Sequence, residues 1–356
     1  MADLLTAADV HGVDGPARIV VDGGRIIGVE PLRGRPPERM LVPGFVDLQC
    51  NGVGDVDVAT ADGDDWERLD ERLLAGGVTT WCPTLVTAPL DDYPDRLRRV
   101  ADAAARPPRC RPQIAGAHLE GPFLGGAPGA HPLDLLRPID LGWLAALPPV
   151  VGVVTLAPEL AGAIEAIRLL TARGILVSLG HTTAAEAEVA AAEEAGARMV
   201  THLFNGMAPF HHRTPGVAGA ALTRPNLVAG LIADLVHVAP TALALAFTAK
   251  GPDGIALVTD AVATGRLELG DGAARLPDGT LAGSTLTGAA AVRNVVEAAG
   301  VRWPDAVTAA STTPAALLGL TDRGRIVPGA RADLVALTPD FEVEATWVGG
   351  ELAWAR

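Results

Sequence analysis

The chain has 356 residues, 49% hydrophobic and 20% charged, which is enough apolar material for a sizeable core and too little charge for a disordered chain. With 42 acidic and 28 basic residues the net charge is −14, and aromatics make up only 4%. That balance speaks against a phosphate-neutralising surface for nucleic acid, stacking platforms for single strands, and docking on anionic membrane faces. Cys50, Cys82 and Cys110 form no CxxC pair and define neither a disulfide framework nor a zinc ribbon. The first residues, Met1–Asp9, lack the basic and apolar regions of a signal peptide, and no apolar run reaches the ~18 residues of a membrane span. A soluble cytoplasmic protein is the expectation.

The first forty residues read as β. Ala17–Val21 and Arg25–Val29 flank Asp22-Gly23-Gly24, a good hairpin turn. The middle alternates between apolar runs and Ala/Leu/Glu/Arg-rich stretches. Strands are expected at Gly44–Gln49, Thr79–Val86, Ile114–Glu120, Val150–Pro158, Ile175–His181, Met199–Asn205, Leu227–Asp234 and Ile255–Ala261. Helices are expected at Asp64–Ala75, Leu90–Ala105, Leu133–Ala146, Glu159–Ala172, Ala184–Ala195 and Pro240–Lys250, with a less clear link at Pro215–Pro225. Further helices are expected at Leu286–Ala299 and Trp303–Leu317. Near-continuous apolar strands suit a parallel sheet buried on both faces. Eight of them with crossovers suit an α/β fold, a (β/α)8 TIM-like barrel. The lack of a GxGxxG after a first strand weakens the alternative, an open doubly wound sheet. The last residues return to short strands at Asp333–Leu337, Glu342–Trp347 and Glu351–Trp354. Neither end has strand enough for a stable sheet alone. Residues 1–43 and 321–356 are therefore expected to build one small discontinuous β domain, with the barrel at 44–320.

Polar residues collect at the ends of the expected strands. Gln49 and Asn51 close the first, Glu120 the third, His181 the fifth, His202 and Asn205 the sixth and Asp260 the eighth, while His237 follows the seventh. In a barrel these converge at the rim where active sites are built. Two histidines and a carboxylate suit a catalytic zinc with one position open, which lowers the pKa of bound water to about 7. A single histidine or glutamate at a strand end is more often a hydrogen-bonded rim residue; the coincidence of Glu120, His181, His202 and Asp260 makes the set a candidate site. His118, two residues before Glu120, is read as a hydrogen-bonded core or rim group, His11 as exposed, and Cys50 as a packed thiol.

The ordered motifs carry more. They run Pro43-Gly44-Phe45-Val46-Asp47, His118-Leu119-Glu120-Gly121-Pro122-Phe123, Gly129-Ala130-His131-Pro132 and Gly180-His181-Thr182. They continue with Thr201-His202-Leu203-Phe204-Asn205-Gly206-Met207, Arg213-Thr214-Pro215-Gly216, Val258-Thr259-Asp260-Ala261 and Leu281-Ala282-Gly283-Ser284. Over essentially the whole chain this order resembles the N-acetylglucosamine-6-phosphate deacetylases of the amidohydrolase superfamily.

The resemblance implies metal-dependent hydrolysis of the acetamide of N-acetylglucosamine 6-phosphate, giving the amino-sugar phosphate and acetate. It implies Glu120, His181 and His202 as ligands of one divalent metal, zinc foremost, with iron, cobalt and manganese compatible. It implies Asp260 as general base, and His131 as the residue that binds the acetyl carbonyl and stabilises the oxyanion. Asn205, the backbone of Gly206, Arg213 and His237 are implied as contacts to the sugar phosphate, and a homodimer as the assembly. Three departures stand out. Gln49 and Asn51 replace the His-x-His that supports a second metal in many relatives. Leu235 stands where the family has glycine, which puts the pose of His237 in question. Gly288 stands where methionine is common, which would loosen the wall beside the acetyl or sugar group. A deacetylase for the galactosamine epimer, or for another N-acyl sugar phosphate, is the alternative. A cyclic-amide hydrolase is disfavoured because the only lysine, Lys250, ends an expected helix. A non-catalytic barrel is disfavoured because the metal and base residues are all present.

Overall fold

Eight short runs, buried almost throughout, form the centre of the molecule: β1 (Phe45–Cys50), β2 (Val78–Val86), β3 (Ala117–Glu120), β4 (Val151–Leu156), β5 (Leu176–Leu179), β6 (Met199–Val200), β7 (Val228–Ile232) and β8 (Ile255–Val258). A computed structural model describes residues 3–107, 110–264, 268–270 and 273–356. The strands pair in parallel in chain order from β1 to β8. Closure comes at the carboxyl ends. The Asp260 N–H donates to Gln49 O at 2.8 Å, and the Asn51 N–H to Ala261 O at 2.7 Å. The result is the expected barrel, and the eight strands fall where the apolar runs placed them.

Most crossover helices also match. Asp65–Ala75 buries Trp66, Leu69 and Leu73 on one stripe, at helical spacing. Two expectations change. Leu133–Ala146 is not one helix but a single 3₁₀ turn, Leu133–Leu135, followed by the short helix Leu141–Ala145. Pro138 interrupts the run, and the Asp140 carboxylate caps the restart by accepting the Trp143 N–H at 2.9 Å. Trp303–Leu317 divides into Trp303–Ala310 and Thr312–Leu317, because Pro314 has no N–H to continue the ladder across Ser311. The unclear link contains a helix, Gly216–Thr223. After β8 the chain makes a small antiparallel sheet, Glu268–Gly270, Ala273–Arg275 and Leu281–Ser284, whose three- and four-residue strands left no periodic signal.

The two chain ends share one sheet. Met40–Pro43 pairs antiparallel with Leu334–Leu337 in a five-stranded sheet, while Asp3–Ala7, Ala17–Asp22 and Arg25–Pro31 form a three-stranded one. The five-stranded sheet faces two ways. Met40, Val42, Val335 and Leu337 join the barrel's core, whereas Leu41, Leu334 and Ala336 join the core beneath the three-stranded sheet. That alternation is the period-2 pleat of a strand sandwiched between two apolar layers.

Candidate active site

Glu120 is the last residue of β3, and His181, His202 and Asp260 each stand two residues beyond their strands. These last three have left-handed backbones, with φ of 51°, 29° and 46°. Non-glycine residues rarely adopt this region, and such strain gathers at functional sites. The turn ends each strand and aims the side chain at the barrel mouth. Nε2 of His181 lies 3.0 Å and Nε2 of His202 2.9 Å from Glu120 Oε1, and the two nitrogens are 3.1 Å apart. Each Nδ1 faces a carbonyl oxygen, Ala127 O at 3.2 Å and Asn205 O at 3.1 Å. A carbonyl can only accept, so both Nδ1 atoms carry protons, and in the neutral rings both Nε2 lone pairs then face the carboxylate. Three buried electron-rich atoms within about 3 Å require a cation among them. The donor set therefore fits a divalent metal, with the second nitrogens oriented as metal-bound histidines need.

The fourth strand-end residue, Asp260, has its carboxylate held by amides. Gln49 Nε2 donates to Glu120 Oε1 at 3.0 Å and to Asp260 Oδ1 at 3.1 Å, and Asn51 Nδ2 donates to Asp260 Oδ1 at 2.7 Å. Their carbonyl oxygens, Gln49 Oε1 and Asn51 Oδ1, are buried without a hydrogen-bond partner among the described residues. The two amides thus offer N–H donors to the carboxylates. Burial, and then the charge of Glu120, raise the Asp260 carboxyl to about 7.

His131 reaches the same place from the loop after β3. Its ring lies edge-on to His181 with centroids 4.3 Å apart, and its Nδ1 is 2.8 Å from Thr87 Oγ1. Ligand atoms of Glu120, His131 and His181 all fall within 4.8 Å of one another, so His131 borders the cation position. Burial, then the neighbouring His181, push its imidazole down to about 3, so it is neutral. His202 completes the closer triad.

The remaining candidates sit further out. Gly206, at φ 56°, passes between the histidines; a Cβ there would lie 2.9 Å from His181 Nδ1 and 3.1 Å from His202 Cε1. Asn205 is fixed to His202 through its carbonyl, with its side-chain amide 3.4 Å from Leu203 O. His237 is paired with Asp234 at 2.6 Å, and Asp234 also accepts the N–H groups of Val236 and His237. Leu235 between them adopts φ 68°, the glycine-like conformation, so the loop keeps its shape at a cost in strain. Arg213 is exposed; its side chain meets His212 at 3.1 Å, and its backbone N–H donates to His211 Nδ1 at 3.3 Å.

Gly288 is a correction. A Cβ on it would meet Gly76 O, Phe45 and Val78, at the amino ends of β1 and β2, so it does not wall the site. His11 is likewise not exposed: it is half-buried and bonds Pro304 O at 3.0 Å. His118 holds its expected role. Its Nδ1 donates to Leu48 O at 2.9 Å and its Nε2 is 2.8 Å from Thr155 Oγ1, on a buried hydroxyl chain through Thr201 to Ser178. Motif reasoning passed over Thr87, Asp234 and Asp47. Asp47 alternates with Gln49 along β1, which is the signal that could have found it. It accepts the Thr259 hydroxyl at 2.6 Å and backbone N–H groups of Gln49 and Thr259, fixing the residue before Asp260.

The amidohydrolase family model matches residues 40–353, and the chain belongs to that family. Within it, the human N-acetylglucosamine-6-phosphate deacetylase is 41% identical over 94% of this chain and 90% of its own length. N-acetylgalactosamine-6-phosphate deacetylase of Escherichia coli O157:H7 is 38% identical over 93% of each. Among solved structures, N-acetylglucosamine-6-phosphate deacetylase of Thermotoga maritima superposes with TM-score 0.92 over all of both chains at 33% identity. A variant of the Mycobacterium smegmatis enzyme, in complex with N-acetyl-D-glucosamine-6-phosphate, gives 0.91 over 99% of both chains at 34% identity. No helix among the described residues is long and apolar enough to cross a membrane.

Proposed function

We propose that this chain hydrolyses the acetamide of N-acetylglucosamine 6-phosphate to glucosamine 6-phosphate and acetate, in amino-sugar catabolism. The observation that carries the reading is the convergence of Glu120, His181 and His202 on one point, beside an Asp260 carboxylate that no cation among the described residues pairs. Glu120, His181 and His202 would hold one divalent ion, zinc best suiting two nitrogens and a carboxylate, with iron, cobalt or manganese accepted by the same set. When bound, the ion would polarise the acetyl carbonyl and acidify the attacking water. Asp260, steadied by the N–H groups of Gln49 and Asn51, takes the water's proton and later returns a proton to the leaving amine. With the Thr87 hydroxyl donating to His131 Nδ1, His131 Nε2–H is free to donate to the acetyl oxygen and stabilise its developing charge. Asn205, the Gly206 backbone N–H, Arg213 and His237 would hold the sugar phosphate. Arg213 suits phosphate because its planar fork matches two oxygens.

The chain is read as a cytoplasmic homodimer, with the exposed turn carrying Arg213 close to the subunit interface. The domain division is read as 1–43 with 321–356, and 44–320. The 38% identical relative named for the galactosamine epimer favours that sugar as the second reading. Acetate release from both N-acetyl 6-phosphates, measured beside the unphosphorylated sugars, tests the proposal. Fast release from N-acetylglucosamine 6-phosphate is expected. Release at equal rates with and without phosphate would remove Arg213 and His237 from the site.

A further inference from the structure

Glu159 is the first charged residue beyond β4, in Ala157-Pro158-Glu159, and no role above uses it. No cationic side chain among the described residues pairs with it. Its carboxylate instead binds two loops at once. Oε1 accepts the N–H of Thr183 at 2.9 Å and of Gly126 at 3.2 Å, and Oε2 accepts the Thr182 hydroxyl. Thr182 and Thr183 directly follow His181. Gly126 lies at the start of the strap 125–131, which ends at His131. The strap rests on His181 at three points. Gly125 N–H donates to His181 O at 2.8 Å, His181 Nδ1 donates to Ala127 O, and the His131 ring meets the His181 ring edge-on. The approach is close. A Cβ on Gly125 would fall 2.1 Å from Glu159 Oε1, and one on Gly126 2.4 Å from Thr183 Oγ1.

We propose that Glu159 is a positioning residue that clamps the 125–131 strap onto His181. Through the clamp, Ala127 O sets the tautomer that leaves His181 Nε2 open to a cation, and His131 is presented to the same point. Ionised carboxylates make the stronger hydrogen bonds, and carbonyl partners of metal-binding histidines govern affinity by about 10–100-fold. Only the turnover part of this inference rests on the proposed deacetylase activity.

The test is zinc affinity, by competition with a chelator, alongside acetate release. Glu159→Ala is expected to bind zinc at least about tenfold more weakly and to lose about 10–100-fold in kcat. KM should change little, since Glu159 is not a proposed substrate contact. Glu159→Gln keeps an oxygen for the two N–H donors and should recover most of both losses. Gly125→Ala displaces the carboxylate without deleting it, and should reproduce the alanine phenotype if Glu159→Ala does not fold. The double variant should be no worse than either single one, because both act on one contact. Zinc affinity within twofold of the parent together with unchanged kcat in Glu159→Ala, or additive losses in the double variant, would overturn the clamp. If the parent enzyme releases no acetate from any substrate, the functional reading falls while the zinc comparison still decides the clamp.

Discussion

Glu120, His181, His202 and Asp260 are each no more than 9% exposed, at the ends of four strands in one parallel barrel. Arg213 stands with Phe210, His211 and His212 on an exposed turn after β6. The first group is over-determined, since each residue is held by another: His181 by Ala127 O, His202 by Asn205 O, Glu120 by Gln49, and Asp260 by Gln49 and Asn51. The second is held by almost nothing. The difference follows from the task. Reacting groups must sit within fractions of an ångström before substrate arrives, whereas a phosphate can be gripped by a long side chain that orders on binding.

That contrast can be broken in order of expected effect. Removing a ligand, with His181→Ala or by exhaustive chelation, should abolish turnover and reduce bound metal from about one equivalent to near zero; retained turnover without metal would sink the site. Asp260→Asn should keep its metal yet lose about 10²–10⁴-fold in kcat, since an amide cannot take the proton. Metal analysis and kcat on the same sample check both halves of that statement. On the exposed side, Arg213→Ala should raise KM for the phosphorylated sugar about tenfold or more with kcat nearly kept. A collapse of kcat instead would show that the turn belongs to the rigid group.

Two smaller effects probe the frame around the cluster. Burial raises the Asp47 carboxyl to about 6, above its unfolded value near 3.8. An acid raised on folding favours the native state below its unfolded pKa and progressively less as pH climbs through its folded one. The stability of the parent relative to Asp47→Asn should thus fall between about pH 4 and 6, by roughly 3 kcal/mol at most. Denaturant midpoints of both proteins across that window would show it. Leu235→Gly should raise stability by up to about 1 kcal/mol, because glycine carries no penalty at φ 68°. A lower melting temperature would mean that the exposed leucine makes a contact worth more than its strain.

How much was legible follows from the kind of signal each feature leaves. The barrel strands were readable because burial on both faces demands unbroken apolar runs. The ligands were readable because polar residues ending such runs have few other reasons to be there. Glu159 was absorbed into an expected helix, Glu159–Ala172, because its neighbours are good helix formers; the helix begins at Ala163. Gly288 was assigned to the site through the methionine common at that position in the family, yet it packs at the amino ends of β1 and β2. The small sheet after β8 was missed because its strands are too short for periodicity to register.

Composition and motif order by themselves determined the class of this protein: an acidic α/β barrel carrying two histidines and two carboxylates at its rim, with chain ends that need each other to form sheets. Those properties depend on residue type and spacing alone. Only the tertiary structure decided that His181, His202 and Asp260 turn left-handed, that Gln49 and Asn51 aim N–H groups at carboxylates, and that Leu235 accepts a glycine's conformation. The sign of a φ angle and the partner across a barrel are settled by closure, which brings residues as much as 212 positions apart into hydrogen-bond contact.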